Sequence, residues 1–300
     1  MPTYLKLYEE GKLQYLEKKL FSSLTQCRLC PRECRVNRIE GEVGFCKTKR
    51  YAIVSSVGPH FGEEAPLVGK NGSGTIFISG CNLGCIFCQN YDISHKMEGK
   101  EVKGEELGKM MIRLQEIGCH NINIVTPTHI IPQIIEALKY AIEWGLRLPL
   151  VYNTGGYDKV ETLKLIEGVF DIYMPDFKFY DKEIAKKLAK AEDYPERVKE
   201  SIEEMHRQVG DLQIEEGIAK KGLLIRHLVL PQNLANTKEV VKFVKKKISK
   251  NTYLNIMDQY RPCGEAWEVK ELQRTITYEE YCEAIKVAKE EGLCRLDSYG

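Results

Sequence analysis

The sequence has no run of about twenty apolar residues, the length a helix needs to cross a hydrocarbon core, so no segment reads as a membrane span. Net charge is nearly absent too. Its 44 basic and 43 acidic side chains leave +1, which removes the electrostatic case for a nucleic-acid backbone or an anionic membrane as the main partner. There is no internal repeat or low-complexity tract. The opening MPTYLKLYEEGKLQYLEKKL lacks the basic start and unbroken apolar core of a secretory leader. The expectation is a cytoplasmic protein with no membrane contact, in which a nucleic acid is not the main partner. Three hundred residues suffice for one large α/β domain, or a core with a small appendage.

The 11 cysteines are what the sequence has in excess, and they are clustered: Cys27, Cys30, Cys34 and Cys46 in one group, Cys81, Cys85 and Cys88 in another. In a reducing compartment clustered thiols read as metal ligands before disulfides. Cys119, Cys263, Cys282 and Cys294 stand alone and read as small buried hydrophobes.

Residues 4–24 alternate apolar and charged positions at helical spacing, ahead of a loop-like segment punctuated by Pro31, Gly41 and Gly44 and a turn-rich run from Gly58 to Gly74. Residues 1–73 are therefore expected as an N-terminal helical and Cys-rich metal-binding module with a linker. From residue 74 short apolar strands alternate with amphipathic helices, the pattern of a parallel sheet covered by helices. Strands are predicted at 74–79, 121–125, 148–153, 171–176, 223–230 and 252–258. Helices are predicted at 104–118, 130–145, 158–167, 181 to about 212, and 236–248. Six repeats imply an α/β fold with a partial, open parallel β/α barrel over 74–262, followed by a helical extension over 263–300. Reactive groups in such sheets sit at the carboxyl ends of the strands.

The first of these strands runs into CNLGCIFCQN at 81–90, a C-x3-C-x2-C group. Three thiolates on one tight loop can each take one iron of a 4Fe-4S cubane, and with no fourth cysteine nearby one iron stays open. Gly80 and Gly84 let the backbone wrap closely around such a cluster. The competing reading is zinc on the same thiolates with a fourth ligand such as His95, although structural zinc ligands usually come as two separated pairs.

C-x3-C-x-aromatic-C, with Phe87 before the last cysteine, resembles the defining motif of the radical S-adenosylmethionine (SAM) superfamily. The chain from about residue 24 to 297 resembles uncharacterised relatives of pyruvate formate-lyase activating enzyme, through CRLCPRECRVNR, GCNLGCIFCQNYDIS, YMPDFKFY, MHRQVGDL, RHLVLP and NIMDQYRP. That resemblance implies SAM chelated at the open iron. A reduced cluster then donates one electron and cleaves SAM to methionine and a 5′-deoxyadenosyl radical that abstracts hydrogen. It also implies a low-potential donor such as flavodoxin or ferredoxin.

Residue by residue, the resemblance implies that Asp176 and Lys178, a D-x-K at a strand end, lie near SAM. The bland alternative is a surface ion pair of little worth. Arg226 matches an arginine beside the SAM carboxylate, a role its fork suits. Its neighbour His227 is expected on the opposite face of the strand. Asn153 and Thr154 are expected to line the cofactor site. Met174 and Asp176 match a monovalent-cation site, but Asn153 stands where the family pattern has Asp, which removes a charge. Thr126-Pro127-Thr128-His129 replaces a Gly-Gly-Glu stretch that contacts the SAM amino group, so His129 is a candidate for that contact, with helix entry as the other reading.

Cys27, Cys30, Cys34 and Cys46 form C-x2-C-x3-C-x11-C, four thiolates that could close a tetrahedral zinc or saturate a second 4Fe-4S cluster. Three functions remain open on sequence alone. They are a radical enzyme acting on a protein, as glycyl-radical activating enzymes do; one acting on a small molecule or RNA; and a non-catalytic iron–sulfur protein for electron transfer.

Overall fold

A computed structural model describes residues 1–297. Residues 298–300 of the expected C-terminal extension lie outside the described residues. The six expected strands are present as β2 Ser73–Ile78, β4 Ile122–Val125, β5 Leu150–Thr154, β6 Ile172–Pro175, β8 Ile218–Leu228 and β9 Tyr253–Met257. They pair in parallel in that order. β5 and β6 are buried along their whole length, as parallel strands sandwiched between a helical layer and a filled interior must be. The sheet is open: β9 pairs with β8 at one side, and β2 is flanked at the other by β1 Ala52–His60, which is antiparallel. The fold is thus the expected partial barrel.

Three further strands escaped the sequence reading: β1, β3 Lys100–Val102 and β7 Gln213–Glu215. All three pair antiparallel at sheet margins. β1 joins a segment expected as part of a separate module to the main sheet. Tyr4, Leu13, Leu20 and Leu24, all from the first two helices and the turn after them, are fully buried in the same core as the strands.

The long polar helix expected over 181–212 is two helices, Lys182–Ala189 and Tyr194–Val209. Lys190 ends the first in a left-handed conformation, and Pro195 starts the second, where its missing N–H costs nothing.

The linker expected before residue 74 is the floor of the barrel. Leu67 is fully buried among Val151, Ile172, Met174 and Leu224, the inward side chains of β5, β6 and β8. Its carbonyl accepts from Asn121 Nδ2 at 2.9 Å. Because side chains alternate along a strand, the next inward residues are Asn153 after Val151, Asp176 after Met174 and Arg226 after Leu224. A polar layer therefore sits one step above an apolar stopper.

Candidate active site

The polar layer lines a cleft of about 360 Å³, together with Cys81, Cys85 and Cys88 from the loop after β2. Thr126, Asn153, Thr154, Asp176, Lys178, Arg226 and Met257 reach it from the ends of successive strands. The cysteine loop and the strand-end polar residues, far apart in sequence, face one space.

Arg226 organises this layer. Its Nε donates to Asp176 Oδ1 at 2.8 Å, its Nη2 to Asn153 Oδ1 at 2.7 Å and its Nη1 to Glu63 Oε2 at 3.3 Å. Lys178 Nζ donates to Asp176 Oδ2 at 2.6 Å. Burial pushes the Asp176 carboxyl up, but the adjacent Arg226 and Lys178 outweigh it and leave the group below its ordinary value. Both Asp176 oxygens are occupied by cationic nitrogens, and Met174 is buried in the apolar floor. The pair is accordingly a buried network, not the surface ion pair weighed above.

Tyr194 fixes the loops that carry these groups. Its hydroxyl accepts from the Lys178 amide at 2.9 Å and lies 2.8 Å from the Asp176 carbonyl. Asp158 does the same for the neighbouring turns, accepting from Thr128, Thr154 and Tyr152 at 2.7 to 2.8 Å.

The cysteine loop fits a thiolate-bound iron–sulfur group. The Leu83 amide donates to Cys81 Sγ at 3.3 Å and the Ser94 hydroxyl to Cys88 Sγ at 3.2 Å. Burial pushes the Cys85 thiol up and the Lys178 ammonium opposes it. Among the described residues no group of three or more His, Cys, Asp or Glu is placed to hold a single metal ion. Three thiols spread over one cleft suit a cubane, in which each takes a separate iron.

One sequence expectation changes here and another is met. His129 does not face the cleft; it lines the neighbouring cavity of the N-terminal cysteines, its Nε2 on the Ser79 carbonyl at 3.0 Å, because the turn after β4 directs Thr126 inward instead. His227, as its alternation with Arg226 requires, points away, between the Phe177 carbonyl at 2.7 Å and Thr237 Oγ1 at 2.9 Å.

Sequence reading missed the acidic floor. Glu63 lines the cleft, and the almost wholly buried Glu64 accepts from Asn255 Nδ2 at 2.8 Å while its other oxygen has no partner among the described residues. Burial pushes the Glu64 carboxyl up despite Arg226 nearby. The available signal was a pair of adjacent acids inside a turn-rich run.

Residues 75–244 match the sequence profile of the Radical SAM superfamily. The chain belongs to this superfamily. Radical SAM members are enzymes, and membership implies cleavage of SAM with an iron–sulfur cluster. The radical SAM chain is 33% identical over 288 residues to the uncharacterized protein MJ0674 of Methanocaldococcus jannaschii, covering 93% of this chain and 78% of that one. A second uncharacterized protein of that organism, MJ0808, is 27% identical over 169 residues, 50% of this chain and 48% of its own. A solved structure described as native anSMEcpe with bound AdoMet aligns with a TM-score of 0.47 and 16% identity. The alignment covers 71% of this chain and 57% of that one.

Proposed function

We propose that this chain reductively cleaves SAM at a 4Fe-4S cluster held by Cys81, Cys85 and Cys88, and directs the 5′-deoxyadenosyl radical to abstract hydrogen from a substrate. The observation that carries the reading is the shared cleft: three thiols and the Asp176, Lys178, Arg226 and Asn153 network line the same space at the strand ends. When bound, the cluster and SAM supply the electron transfer and the radical; the protein supplies position and exclusion of water. Arg226 uses three of its five N–H donors within the network, leaving two for a carboxylate. Lys178 and Arg226 keep Asp176 ionised, and Thr154 and Asn153 border the same wall.

On this reading residues 74–262 carry the reaction, with residues 1–73 and 263–300 framing it in a cytoplasmic protein. The electron comes from a low-potential donor of the flavodoxin or ferredoxin kind. Resemblance to pyruvate formate-lyase activating enzyme extends the proposal to a protein substrate that receives a glycyl radical.

Anaerobically reconstituted protein with a strong reductant should release 5′-deoxyadenosine from SAM, and a Cys81→Ala, Cys85→Ala, Cys88→Ala variant should not. A fully loaded, reduced parent that neither binds SAM at the cluster nor releases 5′-deoxyadenosine would favour the electron-transfer function.

A further inference from the structure

The reaction proposed above makes no use of Cys27, Cys30, Cys34 and Cys46, yet all four line one cavity with Arg32, Arg38, Phe45 and Asn82. None is in a disulfide. They lie on a loop without helix or strand, in which Glu33, Arg35 and Lys47 adopt positive φ of 40°, 58° and 59°. Side chains at such angles are strained, so something other than local preference holds the loop wrapped.

The surroundings of the four sulfurs point to an anionic occupant. Arg38 is 1% exposed, and among the described residues its partners are the carbonyls of Lys49 and His129 and the Cys27 sulfur, at 3.8 Å, with no carboxylate. A buried guanidinium without a counter-charge is unfavourable, and its natural partner here is the negative charge of ligating thiolates. The Phe45 amide donates to Cys34 Sγ at 3.4 Å. The Arg32 and Thr48 amides lie against Cys30 and Cys46. Each sulfur thus meets an N–H donor of the kind that supports a metal-bound thiolate.

The spacing separates the two metals that four thiolates can hold. Zinc, with Zn–S of about 2.3 Å, draws four tetrahedral sulfurs to within about 3.8 Å of one another. Among the described residues no group of three or more His, Cys, Asp or Glu is placed to hold a single metal ion, although the four thiols share a cavity. A cubane holds each thiolate on its own iron, farther apart.

We propose that Cys27, Cys30, Cys34 and Cys46 bind a second 4Fe-4S cluster, fully ligated by cysteine and closed to substrate, that braces the motif loop. The two sites share a wall. Asn82, next to Cys81, lines the N-terminal cavity; Arg32 Nε and Nη2 donate to the Asn82 and Leu83 carbonyls. A side chain at Gly80 would strike the Cys46 carbonyl, 2.5 Å from its Cβ position.

The test is metal and sulfide analysis with Mössbauer spectroscopy on the full chain. The Cys81→Ala, Cys85→Ala, Cys88→Ala variant, reconstituted anaerobically with iron, sulfide and zinc all present, is expected to keep about four irons and four sulfides per chain. Adding Cys30→Ser should remove them, with circular dichroism confirming that the chain still folds. The reciprocal Cys30→Ser single variant should keep the SAM-responsive cluster signal but lose it faster to a chelator than the parent does. One zinc and no iron in the first variant would overturn the cluster; neither metal would overturn the site. Both outcomes are read without turnover, so they stand apart from any failure of the proposed reaction.

Discussion

Arg32 Nε lies 2.9 Å from the Asn82 carbonyl and its Nη2 lies 2.9 Å from that of Leu83, so one side chain of the first cysteine loop holds the backbone between Cys81 and Cys85. The same guanidinium stacks on Phe45 at 3.8 Å. Lysine cannot reproduce that fork. Arg32→Lys should lower stability by about 1.5–3 kcal/mol, the range for hydrogen bonds to a charged donor, and hasten iron loss from the motif loop. Denaturant titration and a chelator time course check this; unchanged midpoint and loss rate would refute it.

Gly84 has φ of 75°, and a Cβ there would stand 2.8 Å from the Phe45 ring. Gly84→Ala should cost roughly 1–2 kcal/mol from the backbone angle alone, with the collision added. Phe45→Ala in the same chain should restore the collision part and leave the backbone part. A double-mutant cycle measures the split; simple additivity would show that the two loops do not press on each other.

Asp176 is the only carboxylate that bonds both Lys178 and Arg226 among the described residues. Asp176→Ala leaves two buried cations with Glu63 as their remaining acid partner, which should cost about 3–5 kcal/mol. Release of 5′-deoxyadenosine should fall with it. Asp176→Asn keeps the shape without the charge and should stabilise more than alanine yet still lose SAM affinity. Thermal unfolding and SAM binding, measured together, distinguish the two variants.

Burial drives the His227 imidazole from its ordinary 6.5 down to about 4, and His129 likewise. A folded value below the unfolded one means that the unfolded chain takes the proton first. The stabilisation is fully present above about pH 6.5 and is lost as pH falls toward 4, by on the order of 3 kcal/mol for each ring. Urea midpoints at several pH values across that window should fall with acidification, and His227→Gln should remove about one proton from the slope. A variant as pH-sensitive as the parent would sink the assignment.

Legibility in the sequence followed the range of the interactions. Strands such as Leu150–Thr154 declare themselves because both faces are buried, so the run is apolar throughout. The motif cysteines are equally local. β1 is different: as an antiparallel margin strand it contains Gly58 and Pro59 and alternates in exposure, which imitates a turn-rich linker. The two-helix break at Lys190 was announced only by Pro195. His129 was misplaced because a three-residue step along the turn after β4, from Thr126 to His129, decides which cavity a side chain enters. Glu63, Glu64 and Arg38 were invisible as site residues because their burial is created by segments far away in the chain, not by their neighbours.

Leu67 stoppers the barrel at the amino-terminal ends of its strands, with Glu63 and Glu64 just above it. The chamber is therefore blind on that side. On the proposed reaction, SAM enters from the opposite side, where the cysteine loop lies, and methionine and 5′-deoxyadenosine leave toward it, so a substrate seated over that loop would hold spent fragments in place until it departs. Turnover on a large substrate would then be paced by undocking, and a small probe that cannot cover the entrance would escape that delay.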